Sequence, residues 1–230
     1  MSVDDRVIIT SNRDEKTIRT QAIPPKSYTI DGKDLFFPKD PQAGGTWFVA
    51  NTHGTILVLL NGADEKHEPQ PPYKKSRGLM VLELISSDSP KDFWKEIELQ
   101  NIEPFTLVLF QNQELFQLRW NGSKKAAVVL DVSKNHIWSS ATLYPSDVRI
   151  QRARWFHTFM NSCFAISEKK MHDFHRYTEQ ENDENGLVIN RNDVVKTLSI
   201  TQSVIEQSKV SILHYDLVEI QDYSISFITV

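Results

Sequence analysis

A chain of 230 residues with 40% hydrophobic and 24% charged residues has the apolar content for a sizeable core, which excludes a disordered segment. A formal charge of −4 and a pI near 6.0 argue against nucleic acid as the main partner, because duplex binding rewards clustered Lys and Arg. The single cysteine, Cys163, excludes an internal disulfide framework and fits a reducing, cytoplasmic setting, and no apolar run reaches the roughly 18 residues of a membrane span.

Met1 to Arg6 is polar and acidic, so no secretory signal is expected. Arg6 to Thr10 (RVIIT) is β-branched and apolar and reads as a buried strand, with a turn at Asp4-Asp5 before it. Thr17 to Gln42 carries Pro24, Pro25, Pro38 and Pro41 and should be mostly loop, with short strands such as Leu35 to Phe37. Thr46 to Ala50 and Thr55 to Leu60 flank the turn formers Asn51-Thr52-His53-Gly54, a hairpin pattern. Gly78 to Ile85 sets Leu79, Val81, Leu82 and Ile85 on a helical stripe. Ser89-Pro90-Lys91-Asp92 then supplies a second helix start: a capping Ser, Pro in the first turn and an acid three residues on.

Strands return at Phe105 to Phe110, Glu114 to Trp120 and Lys125 to Leu130. A helix starting near Ser146-Asp147 carries Arg152, Phe156 and Met160 beside Trp155, Phe159 and Cys163 on one face, and another covers Glu168 to Glu179. Glu179 to Asn192 reads as an exposed loop, and three strands close the chain at Thr197 to Val204, Lys209 to Leu217 and Ser224 to Val230. Without a regular β–α–β alternation, an α+β fold of layered antiparallel sheets in one domain is the expected solution.

Other chemistry-bearing groups carry bland readings. Cys163 lies on the apolar helical stripe and reads as core. His172 and His175 have the spacing of a shared metal face, but no second pair exists elsewhere, so an exposed polar helix is expected and no metal or cofactor. Trp47 reads as core and Gly44-Gly45 as a tight turn.

Thr10-Ser11-Asn12-Arg13-Asp14-Glu15 reads TSNRDE, the signature of the NRDE family of transport and Golgi organisation protein 2-like proteins. Phe37-Pro38-Lys39-Asp40 with Ala43-Gly44-Gly45-Thr46-Trp47 resembles the family's second block. Leu59 to Gly62, Lys75 to Gly78 and Trp138 to Tyr144 resemble the third, fourth and fifth. The resemblance covers nearly the whole chain in the expected order. It implies a fold similar to that of N-terminal-nucleophile hydrolases, a four-layer αββα sandwich around two antiparallel sheets.

In such enzymes the α-amine of an N-terminal Cys, Ser or Thr acts as base for its own side chain, a carboxylate orients the amine, and amide donors hold the oxyanion. By resemblance, Asp14 is the orienting carboxylate, with Asn12 and Arg13 as its polar neighbours. Asn61 matches the block in which related amidases place an oxyanion Asn, and Ser140 lies where several relatives carry a second Asn. The substrate implied is a small-molecule amide or acyl compound.

The nucleophile is the departure. Family members typically begin Met-Cys, whereas this chain begins Met1-Ser2-Val3. With a turn at Asp4-Asp5, Ser2 pairs near Val7 and stops about 13 Å short of the signature at Ser11, whereas attack needs near-contact. By analogy with family starts, about seven residues of the first strand are absent, which leaves an unpaired edge along Arg6 to Thr10. Either the true start lies upstream and restores Met-Cys, or catalysis has been lost; the presence of Asn12, Arg13, Asp14 and Asn61 favours the first. The resemblance also implies a different class of role, a carrier or scaffold, as in eukaryotic relatives linked to haem handling and Golgi organisation. His53 and His136 are the side chains near family blocks that would serve a haem carrier.

Overall fold

An apolar, β-branched and aromatic run lies in the interior of the larger of two sheets. The run Phe105–Gln111 is buried at every position, as a strand covered on both faces must be. In the computed structural model, which describes residues 6–230 and the backbone of Ser2 and Val3, it is β7 of a seven-stranded antiparallel sheet. That sheet, in spatial order, comprises β3 (Ile23–Ile30), β4 (Lys33–Lys39), β5 (Phe48–Asn51), β6 (Ile56–Asn61), β7, β8 (Glu114–Trp120) and β9 (Lys125–Leu130). A second sheet runs β1 (Ser2–Val3), β2 (Arg6–Lys16), β11 (Val195–Glu206), β12 (Lys209–Asp216) and β13 (Gln221–Ile228), and the short β10 (Asn190–Arg191) also pairs with β11. The turn expected at Asp4-Asp5 lies outside the described residues.

Helices cover the two outer faces. Helix α1 (Arg77–Ile85) is capped by Ser76, whose Oγ accepts from the Leu79 amide, and α2 (Pro90–Glu96) by Ser89 with Pro90 in its first turn. Their apolar faces, including Met80, Leu84, Ile85 and Trp94, pack on Leu35, Val49, Leu57 and Leu109 of the larger sheet. On the other side α3 (Ser146–Ser162) and α4 (Glu168–Tyr177) bring Phe156, Met171 and Phe174 onto Ile8 of β2. Between the sheets, Phe48, Ile56, Val58 and Phe110 meet Val7, Ile205, Val210 and Ile212. The result is the expected αββα order. Neighbouring residues of β2 divide between its two faces, Val7 to the intersheet core and Ile8 to the helical side.

Two expectations fail locally. Thr17 to Gln42 is largely a hairpin, β3 and β4 joined at Asp31-Gly32, where both residues take positive φ. Of the four prolines that suggest a loop, Pro24 and Pro25 sit on the outermost strand, where a missing amide hydrogen costs no ladder bond, Pro38 lies near the end of β4 and Pro41 in the turn after it. The first strand runs on to Lys16 instead of ending at Thr10, so the NRDE residues lie inside it, paired to β11 with an irregularity at Thr197/Ser199. The pairing of Ser2 opposite Val7 is the register inferred from the sequence.

Candidate active site

Among the described residues, only Arg6 and Val7 of β2 are paired to β1. Beyond them, among the described residues, the main chain of Ile8 to Asp14 is paired on the β11 side alone. Along this bare edge opens a cavity of about 740 Å³, lined by Val7 to Glu15 of β2 and by segments of both sheets and both helical layers. Asn12, Arg13, Asp14, Asn61 and Ser140 all line it.

Their roles in the wall differ. Asp14 is fixed by two short hydrogen bonds, from the Tyr144 hydroxyl to Oδ2 and from Thr197 Oγ1 to Oδ1, both 2.6 Å. The Tyr144 ring lies under Arg152, whose Cζ is 3.5 Å from the ring centroid, with Arg191 at 5.1 Å. Burial, reinforced by the Asp14 charge, pushes the Tyr144 hydroxyl well above its ordinary range, so it stays protonated and donates. Asn12 has its side chain committed: Nδ2 donates to the carbonyls of His175 (3.1 Å) and Leu187 (2.6 Å), and Oδ1 is 2.8 Å from His175 Nδ1. It ties β2 to α4 and is not a free donor.

Arg13 points the other way, between the sheets, stacked on Trp47 at 4.3 Å and 3.5 Å from Asp40. Burial pulls its guanidinium below the ordinary range, and Glu15 and Asp40 act against that. Asp40 is itself held by Arg19 Nε and Nη2 at 3.0 and 2.8 Å and by the Gln42 and Ala43 amides. Burial raises its pKa, but these bonds outweigh burial and leave it below the ordinary carboxylate range. Asn61 ends β6 with its carbonyl accepting from Ser140 Oγ at 2.8 Å, which sets Ser140 against the end of that strand.

The five sequence blocks meet here. Arg13 of the first reaches Asp40 and Trp47 of the second, while Asp14 reaches Tyr144 of the fifth. Gly45 and Gly78 let the second and fourth cross in contact: a Cβ on Gly78 would stand 2.9 Å from the Thr46 amide nitrogen. Gly62, at φ +84°, lies so close to the fifth block that a Cβ there would be 2.7 Å from Thr142 Oγ1.

Three residues of the wall escaped the sequence reading. His175, expected on an exposed polar helix, lines the cavity and hydrogen-bonds Asn12, and burial, with the charges of His172 and Arg152, holds its pKa well below the ordinary value. Arg152 was placed on the apolar stripe of α3. It is buried there because its guanidinium donates to the Asn185 and Gly186 carbonyls and stacks on Tyr144. Trp47, read as core, is buried but also lines the cavity beneath Arg13. Of the two histidines near family blocks, His136 lines the cavity and stacks on Trp138, whereas His53 is exposed beside the carbonyl of Val230, outside the cavity wall. Among the described residues, no three His, Cys, Asp or Glu side chains gather as a metal site, and no helix is long and apolar enough to cross a membrane.

The sequence profile of the family described as Transport and Golgi organisation 2 matches residues 3–221. No curated protein sequence matches the chain. Among solved structures, the N-acylethanolamine-hydrolyzing acid amidase ortholog of Caenorhabditis elegans is similar at TM-score 0.56 and 12% identity, covering 85% of this chain and 86% of that one. A variant of the conjugated bile acid hydrolase from Clostridium perfringens is similar at TM-score 0.55 and 9% identity, covering 97% of this chain and 85% of that one. A second mutant of that hydrolase gives TM-score 0.54 at 9% identity, with coverage of 97% and 84%. At these identities the likeness is one of fold, the αββα sandwich of N-terminal-nucleophile hydrolases.

Proposed function

The chain belongs to the Transport and Golgi organisation 2 family, and from that premise we propose that its cavity is an N-terminal-nucleophile amide site, built for C–N cleavage or acyl transfer on a small molecule. The observation that carries this reading is the bare edge of β2 running past Asp14 inside the cavity. A first strand laid along that edge would bring its leading residue beside a carboxylate already fixed by Tyr144 and Thr197. The leading residue would be Cys. Its amine would take the thiol proton, Asp14 would orient the amine, and the side-chain amide of Asn61 would donate to the oxyanion as the tetrahedral intermediate forms. Arg13 on Trp47 and the Asn12 tie to α4 would hold the strand's neighbours in place. Ser140, bonded to the Asn61 carbonyl, would position that donor.

Ser2 cannot serve. It pairs with Val7, seven positions from Asp14 along β2, or about 23 Å at strand spacing. The 230-residue chain should therefore bind amides or acyl compounds without turning them over. Its single cysteine and net charge of −4 fit a cytoplasmic protein without a nucleic-acid partner.

The test is to extend the chain by about seven residues headed by Cys, by analogy with family starts, and to screen amide substrates against the same protein headed by Ala. Turnover by the Cys form alone, falling about a hundredfold in Asn61→Ala, supports the reading. Equal inactivity of both forms across the panel, with the extension confirmed by intact mass, overturns it.

A further inference from the structure

Strand β9 closes one side of the larger sheet with its outer edge unpaired among the described residues. Its sequence, KAAVVL, is exposed from Lys125 to Val129, with Val129 at 67% and Val128 at 46%, so apolar side chains face solvent on both sides. Two other outer edges, those of β3 and β13, are guarded, and the bare edge of β2 faces the cavity instead of open solvent. β3 carries Pro24, Pro25 and Lys26 and an irregular register between Ile23 and Lys26. β13 exposes Asp222, Ser224 and Ser226. Such devices keep sheet edges from pairing with other chains, and between Ala126 and Leu130 β9 has none of them: no charge, no proline and no register shift.

We propose that β9 is the interface of a homodimer, in which two copies join antiparallel, edge to edge, about a two-fold axis at Val128. Residues with outward N–H and C=O groups alternate along a strand, so identical antiparallel edges pair only in registers that match outward with outward. Pairing centred on Val128 meets that condition. It sets Val128 against Val128, Ala127 against Val129 and Ala126 against Leu130 of the second copy. The ends then match in charge, Lys125 against Asp131. Within its own chain Lys125 Nζ donates to the carbonyls of Lys95 (2.6 Å) and Ile97 (3.0 Å). Asp131 accepts from Ser133, with Lys134 at 3.6 Å. Neither side chain of the proposed pair is held by a buried charge. The edge is isologous, as a two-fold interface requires, and the pairing closes without propagating.

Light scattering after size exclusion, across a micromolar dilution series, tests the assignment. The full chain is expected as a dimer, and Val128→Lys as a monomer with an unchanged circular dichroism spectrum. Lys125→Asp and Asp131→Lys, each alone, place like charges together and should weaken the dimer about tenfold. Mixing the two single variants makes both end pairs complementary and should restore association as a heterodimer. A parent that stays monomeric throughout overturns the proposal. So does a dimer indifferent to Val128→Lys, or a mixture of the charge variants no tighter than either alone.

Discussion

The two sheets face each other with unlike surfaces. The larger sheet presents Phe48, Ile56, Val58, Val108 and Phe110 to the intersheet space, all apolar and buried. The smaller sheet is apolar at one end, with Val210 and Ile212, but towards Arg13 it buries Ser199, Thr201, His214 and Asp216. Two of its serine hydroxyls, on Ser199 and Ser203, are buried without a partner. A sheet selected for stability alone would not bury such groups, since each unpaired polar atom costs free energy. The difference teaches that the larger sheet lines the intersheet core with apolar side chains, while the smaller one backs the cavity-bordering strand β2 with buried polar side chains that do not themselves reach the cavity wall.

Substitutions break or sharpen that contrast. Leu109→Ala, at a fully buried position of β7, should cost about 2 to 5 kcal/mol in denaturant unfolding, and ligand binding at the cavity should persist in the folded fraction. A next-largest effect is expected from pH. Burial pushes His214 from 6.5 down to about 4, so below pH 6.5 the unfolded chain takes a proton that the folded chain refuses. Its contribution is complete above pH 6.5 and is lost as pH falls towards 4, up to about 3 kcal/mol, and His214→Gln should flatten that part of the stability profile. Asp14→Ala strands the hydroxyls of Tyr144 and Thr197 and should cost about 2 kcal/mol, read by denaturant unfolding. Ser203→Ala removes a hydroxyl buried without a partner and should stabilise the fold by about 1 kcal/mol in denaturant unfolding; a loss of stability would mean that the hydroxyl is bonded.

Legibility followed the same division. Apolar runs such as Phe105 to Phe110 and the capped helix at Ser89 declare themselves locally, and the observed elements follow them closely. The continuation of β2 through Asn12 to Lys16 was not readable, because a polar motif inside a strand shows no apolar alternation, and its support comes from β11, far along the chain. The β3 hairpin was hidden by prolines that an edge strand tolerates. His175 was misread because its partner, Asn12, is 163 residues away, and a polar residue on a helix carries no mark of what packs over it. Asn12, Arg13, Asp14, Asn61 and Ser140, singled out through the motif blocks, line one cavity, and the crossings at Gly45, Gly78 and Gly62 give a physical reason why those blocks hold small residues there.

The bare edge of β2 as the seat of a first strand is tested most directly by amide hydrogen exchange, comparing the 230-residue chain with the Cys-headed extension. Slowed exchange at alternate amides between Ile8 and Asp14, with β7 unchanged, is the expected result. Identical exchange along β2 in the two proteins would contradict it.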